Sequence, residues 1–148
     1  MYAGPKEGLV KKHDLGPEPF HGVDGFNGVL HDRQDGSDIN LQNESAALGL
    51  VQLSKIHKEA LHVICFAPLT NIALAMKVDE NFAHRVRQFY SMGGNFEAIG
   101  NASISAEFNF LADPEAAYVV LRNAAKPITL VPWELCFYGL NIPLVMLF

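Results

Sequence analysis

The chain has 148 residues, of which 49% are hydrophobic and 18% are charged, and its formal net charge is −5. These values are typical of a globular domain and exclude a disordered polar tail. The acidic balance argues against a nucleic-acid partner, because Lys11 and Lys12 are the only adjacent basic pair.

The cysteines and the N-terminus indicate a cytoplasmic protein without a membrane segment. Cys65 and Cys136 lie in apolar runs typical of buried thiols, and two cysteines are too few for a disulfide framework. The N-terminus lacks the apolar core of a signal peptide, and no apolar run reaches the roughly 18 residues of a membrane span.

Residues 1–42 are rich in Gly, Pro, Asp and His and predict a long loop region. Within it, HGVDGFNG (21–28) places His21 and Asp24 among glycines. This segment is either an active-site loop that holds an acid near a leaving group or a turn with a surface histidine, and its composition favours the turn. Residues 44–58 then have apolar positions at helical spacing, with Asn43 as the expected cap.

Strands and helices alternate over the rest of the chain. Short apolar runs predict strands at 61–66, 88–92 and 127–132. Helical patterns predict helices at 69–78, at 80–87 behind an Asp79 cap, and from residue 114 behind an Asp113 cap. This alternation predicts an α/β fold with an open, mainly parallel sheet flanked by helices.

In such sheets, ligands bind at the carboxyl ends of the strands, and two segments, 66–71 and 94–110, follow such ends. The second contains three amides, of Asn95, Asn101 and Asn109, and the carboxylate of Glu107. Such groups are suited to hydrogen-bonding a polyhydroxylated ligand, although the asparagines could equally cap turns. Glu107 lies in the apolar run AEFNF, where a buried carboxylate needs a partner.

Three segments of the chain resemble the inosine–uridine preferring nucleoside hydrolases. They are APLTNIALAMKVDENFAHRV, SMGGNFEAIGNASISAEFNFLADPEAA and KPITLVP. HGVDGFNG also resembles the His-Gly loop of that family. The similarity covers residues 1–132 and predicts a partial nucleoside hydrolase domain with a Rossmann-like sheet, followed by a divergent apolar tail at 133–148.

The resemblance implies an enzyme that hydrolyses the N-glycosidic bond of ribonucleosides to ribose and free base, through an oxocarbenium-like state. Asn101, Glu107 and Asn109 match the family's positions that hydrogen-bond the sugar hydroxyls. Met92 matches a methionine at the ribose pocket, and His21 matches a histidine near the leaving base.

The resemblance also implies a calcium ion beneath the ribose and oligomers of identical chains. Phe66 falls where the family has a threonine whose backbone carbonyl binds calcium. The family's opening aspartate cluster and its later His-Asp pair are expected to be missing. Since calcium takes about six oxygen ligands, we expect no tight calcium binding by this chain and impaired catalysis. A non-catalytic module that binds ribose or nucleosides is the alternative function.

Overall fold

The computed structural model of the protein describes residues 1–10 and 40–138. Within these ranges, helices and strands alternate along the chain. The elements are α1 (Ala46–Ile56), β1 (His62–Cys65), α2 (Thr70–Val78), α3 (Phe82–Arg85), β2 (Gln88–Met92), α4 (Phe108–Ala112), α5 (Pro114–Asn123), β3 (Thr129–Val131) and α6 (Trp133–Tyr138).

The three strands form one parallel sheet in the order β1-β2-β3. Val63 of β1 pairs with Phe89 of β2, and Ser91 of β2 pairs with Leu130 of β3. Parallel neighbours need crossover connections, which α2 and α3 provide between β1 and β2, and α4 and α5 between β2 and β3. The predicted α/β fold with a parallel sheet is confirmed, and β2 has the bounds predicted for it.

One face of the sheet carries the hydrophobic core. Phe89 of β2 is buried and packs edge to face against Phe82 of α3, with ring centroids 5.9 Å apart, and the core extends to α1, α2 and α5. Side chains alternate between the faces of a strand, so Ile64 and Tyr90 lie on the opposite face. There Ile64 is 61% exposed, and the rings of His62 and Tyr90 stack at 6.0 Å. In the described part of the chain, the helices therefore cover mainly one face.

Helix α1 begins later than the sequence suggested, and the predicted Asn43 cap is wrong. Ser45 is the capping residue, because it has the extended backbone that a cap requires and its hydroxyl accepts from the N–H of Leu48 at 3.4 Å. Asn43 lies two residues before this position.

Helix α3 is also shorter than the predicted stretch of 80–87. The carboxylate of Asp79 accepts from the N–H of Asn81 at 3.0 Å, which fixes a turn before the helix instead of capping a longer one. The same carboxylate pairs with Arg85 at 2.8 Å and Lys55 at 3.3 Å. Hydrogen bonding from Arg85 lowers the pKa of Asp79 to about 2. After Arg85 the backbone becomes extended at Val86, which ends the helix.

Helix α5 begins as predicted, with Asp113 at its cap and Pro114 in its first turn. Asp113 is 1% exposed, and its carboxylate accepts three hydrogen bonds. The donors are the N–H of Ala116 at 3.0 Å, the hydroxyl of Thr70 at 2.6 Å and the N–H of Leu9 at 3.1 Å. This one side chain therefore connects α5 with α2 and with the N-terminal segment.

The described helices are short. Helices α4 and α6, of five and six residues, were not predicted from the sequence. The longest, α1, has 11 residues. Among the described residues, no helix has the length and apolar character needed to cross a lipid bilayer.

Candidate active site

The loop that leaves β2 begins with two glycines that the packing requires. Gly93 and Gly94 have φ angles of 151° and 70°, which residues with side chains rarely adopt. A Cβ on Gly93 would lie 2.8 Å from the ring of Phe110 and 3.1 Å from a carboxylate oxygen of Glu107. The two glycines thus allow the backbone to pass directly against α4. Residues 93–107 are called the β2–α4 loop below.

Glu107 ends this loop and caps α4. The residue is 2% exposed. Its Oε1 accepts from the N–H of Asn109 at 2.9 Å, and its Oε2 accepts from the N–H groups of Gly94 at 2.8 Å and Phe110 at 3.2 Å. A carboxylate offers about four acceptor positions, so these three bonds leave about one for a ligand hydroxyl. The surrounding backbone N–H groups are therefore the partners that this buried carboxylate needs.

Asn109 connects the ends of two neighbouring strands. Its side-chain Nδ2 donates to the carbonyl of Met92 at 3.1 Å and lies 3.4 Å from the carbonyl of Phe66, the first residue after β1. The same nitrogen lies 3.2 Å from the sulfur of Met92. Carboxyl ends of parallel strands meet at one edge of a sheet, so these contacts bring three of the predicted residues together at that edge.

The other two asparagines of the loop hold turns, which is the alternative that the sequence left open. The side chain of Asn95 donates to the carbonyls of Ile99 and Ser105, each at 2.9 Å, and so bridges the two arms of the loop. Asn101 is exposed, and its side-chain oxygen accepts from the N–H of Phe108 at 2.8 Å. These bonds give the loop a defined shape without involving a ligand.

Five of the six predicted site residues thus lie near one another: three of them contact Asn109, and Asn101 binds the N–H of the adjacent Phe108. We call these five the strand-end cluster: Phe66, Met92, Asn101, Glu107 and Asn109. The ring of Phe66 is 78% exposed, so a large apolar side chain stands beside the cluster. His21, the sixth, lies outside the described residues. The roles assigned to these residues from the family resemblance stay predictions.

A cavity of about 470 Å³ lies beside the β2–α4 loop. Its lining includes Gly94, Asn95, Phe96, Glu107 and Phe110. Of the strand-end cluster, Glu107 alone contributes to this lining. The cavity and the cluster therefore adjoin at Glu107 without coinciding. A second cavity, of about 360 Å³, is lined by residues of the α5–β3 connection and by none of the cluster.

Glu134 of α6 also holds this region, although the sequence did not single it out. It is 3% exposed, and its Oε1 accepts from the N–H groups of Phe96 and Glu97 at 2.9 and 2.8 Å. Burial opposes the ionisation of Glu134, but the N–H groups of Glu97, of Glu134 itself and of Phe96 favour the carboxylate, so its pKa lies below the ordinary value. An acidic residue shortly after Pro132 was the available sign of a helix start, as in Asp113-Pro114-Glu115.

The described residues do not form a calcium site. Within residues 1–10 and 40–138, no three carboxylate, imidazole or thiol groups lie together where a metal could bind. The predicted ligand, the carbonyl of Phe66, faces the amide nitrogen of Asn109 at 3.4 Å. A single carbonyl is far from the roughly six oxygens that calcium takes, so the described residues do not fit this ion.

Known proteins are similar to this chain over most of its length. The sequence model of the family "Inosine-uridine preferring nucleoside hydrolase" matches residues 1–144. A probable uridine nucleosidase 2 of Oryza sativa subsp. japonica is 39% identical over 122 residues, which are 82% of this chain and 33% of that protein. The inosine-uridine preferring nucleoside hydrolase of Crithidia fasciculata is 30% identical over 97% of this chain and 44% of its own length.

The fold is similar to that of solved structures as well. A plant nucleoside hydrolase superposes with a TM-score of 0.73 and 28% identity, over 90% of this chain and 41% of that one. The chain therefore spans between about a third and less than half of the proteins it matches.

Proposed function

We propose that this chain, which belongs to the inosine-uridine preferring nucleoside hydrolase family, serves in the hydrolysis of the N-glycosidic bond of ribonucleosides to ribose and free base. The observation that carries the proposal is the strand-end cluster. It gathers amide, carboxylate and carbonyl groups from the ends of β1 and β2 and from the start of α4, at the edge of the sheet where ligands of α/β proteins bind.

The cluster supplies recognition of the sugar. Glu107 keeps about one acceptor position for a hydroxyl after its three backbone bonds, and it lines the 470 Å³ cavity. Asn101 is exposed and directs its amide group to the same end of α4. Asn109 binds the carbonyl of Met92 through its side chain and the carboxylate of Glu107 through its backbone N–H, and so holds Glu107 at the strand ends. Binding energy realised at the ribose can hold the glycosidic bond in the geometry from which it breaks.

We further propose that the protein acts on nucleosides in the cytoplasm and forms oligomers of identical chains. Calcium, which the family resemblance implies, would need ligands beyond the described residues. A calorimetric titration of the chain with calcium tests this, and we expect no tight binding.

The alternative function is a non-catalytic module that binds ribose or nucleosides. One observation favours it: the described residues gather sugar-binding groups but do not form a metal site. Saturable ribose binding without release of base would support the module. Release of base would exclude it.

The experiment is release of base from uridine and inosine by the 148-residue chain, with calcium and with chelator. The informative variant is Asn101→Ala, and Asn123→Ala is the matched control. Both asparagines are exposed, and each makes a backbone hydrogen bond, that of Asn123 to the carbonyl of Val119 at 2.6 Å. We expect kcat/KM to fall about tenfold in Asn101→Ala and to stay unchanged in Asn123→Ala. Equal effects in the two variants would contradict a role for Asn101 in sugar binding.

A further inference from the structure

The β2–α4 loop is held from two sides. On one side, Glu107 accepts the N–H of Gly94 at 2.8 Å. On the other side, the segment that follows β3 runs along the loop. The N–H of Trp133 donates to the carbonyl of Gly94 at 2.9 Å, and Glu134 accepts two further N–H groups of the loop, those of Phe96 and Glu97.

We infer that Glu134 is a positioning residue of the active site, which sets the shape of the β2–α4 loop and, through it, the location of Asn101. This inference rests on the proposed function. Glu134 takes no part in the strand-end cluster and does not line the 470 Å³ cavity. It acts through the backbone of Phe96 and Glu97 alone.

The hydrogen bonds of the loop carry this effect towards Asn101. Glu134 fixes the backbone directly after Asn95, whose side chain in turn binds the carbonyls of Ile99 and Ser105. These two carbonyls lie on either side of Asn101 in the sequence, so they bracket it within the loop. A shift of the loop at residues 96 and 97 therefore moves Asn101 relative to Glu107, which is fixed on α4.

A second contact from the same helix holds the loop as well. The hydroxyl of Tyr138 donates to a carboxylate oxygen of Glu97 at 2.8 Å. Residues 134 and 138 are four apart, so they lie on one face of α6, and that face holds both the backbone and the side chain of Glu97. Burying the carboxylate of Glu134 costs free energy, and the two backbone donors of the loop offset that cost only while the loop keeps this shape.

The two oxygens of Glu134 differ in their hydrogen bonds, so glutamine is a conservative substitution at this position. Oε1 accepts both loop bonds, whereas Oε2 is buried without a hydrogen-bond partner in the structure. Glu134→Gln keeps an acceptor at Oε1 and changes the oxygen that makes no bond. Glu134→Ala removes the acceptor. Glu80→Ala, at an exposed glutamate before α3, is the control for loss of one negative charge.

Amide hydrogen exchange of the whole chain tests whether Glu134 holds the loop. In Glu134→Ala, we expect exchange at residues 96 and 97 to become about tenfold faster, with β1 and β2 unchanged. Glu134→Gln keeps both bonds without the negative charge and should restore part of the protection, and Glu80→Ala should leave it intact. Unchanged exchange at 96 and 97 would overturn the inference. Equal acceleration in the strands would overturn it as well, because Glu134 would then support only global stability.

Turnover of uridine by the same variants tests the link to the sugar. We expect KM to rise about tenfold in Glu134→Ala with little change in kcat, and to recover in Glu134→Gln. A loosened loop with unchanged KM would overturn the positioning role. If the unmodified chain releases no base, the proposed function fails, while the exchange experiment still decides whether Glu134 holds the loop.

Discussion

Replacing Glu107 by glutamine changes one atom of a buried carboxylate and tests how the strand-end cluster is built. Three backbone N–H groups bind this carboxylate, one at Oε1 and two at Oε2. The amide nitrogen of glutamine is a donor, so it must face at least one of these N–H groups. The less costly orientation places it at Oε1, opposite the N–H of Asn109, and keeps both bonds at Oε2.

The size of the effect follows from these contacts. One buried N–H loses its acceptor, at a cost of about 1 to 3 kcal/mol. The two remaining bonds lose the assistance of the negative charge, which roughly halves their strength. We therefore expect Glu107→Gln to lower the free energy of unfolding by at least about 2 kcal/mol, a large share of the stability of an ordinary domain.

Urea-induced unfolding, followed by the fluorescence of Trp133, the single tryptophan of the chain, measures this loss. Glu80→Gln is the control, since this exposed glutamate should change the stability by less than about 0.5 kcal/mol. A loss below about 0.5 kcal/mol in Glu107→Gln would refute the capping role of the carboxylate. A loss of the expected size means that base release by Glu107→Gln must be compared at an equal folded fraction.

The remaining predictions concern three other groups. Asp113→Ala should lower the free energy of unfolding by about 2 to 4 kcal/mol, and Asp113→Asn by less, because alanine leaves three donors without an acceptor; urea unfolding measures both, and equal losses would contradict the role of these three bonds. The pKa of Asp79 is lowered from 3.8 to about 2, chiefly by Arg85, so its ionised form favours the folded state. The stability that Asp79 contributes is thus complete above its unfolded pKa and disappears as the pH falls from about 4 to about 2. The unfolding free energies of the unmodified chain and of Asp79→Asn should therefore differ at neutral pH and converge as the pH falls over this range. Burial raises the pKa of the Cys65 thiol to about 11, whereas Cys136 is exposed; iodoacetamide at pH of about 8 should therefore modify Cys136 first, and mass spectrometry that found Cys65 modified first would contradict the burial.

The parts of the fold that the sequence predicted well are those with strong local signals. The run QFYSM stops at two glycines, and β2 has these bounds. Asp113 followed by proline is a start signal that the structure uses directly. The cap of α1 was misplaced because Asn43 and Ser45 are both good capping residues, and only the backbone conformation distinguishes them.

Local sequence signals could not predict helix α4 or the contacts of the candidate site. Glutamate is not among the favoured capping residues, so nothing in AEFNF announced a five-residue helix behind Glu107. The bond between Asn109 and the carbonyl of Phe66 joins residues 43 positions apart, so it depends on how the strands pair. The polar residues of the loop singled out Asn101, Glu107 and Asn109 as candidates, and the family resemblance gave them sugar-binding roles, whereas their hydrogen bonds required the structure.

The uneven covering of the sheet has a thermal consequence. Among residues 1–10 and 40–138, helices pack on the face that holds Phe89, while Ile64 on the other face is 61% exposed. Unfolding then adds less newly hydrated apolar surface per residue than in a domain with both faces covered, and hydration of apolar surface is the source of the heat-capacity increment of unfolding. That increment should fall below the usual value of about 12 cal/mol/K per residue. The stability of this described part of the chain should consequently change only gradually with temperature, in a broad and shallow curve.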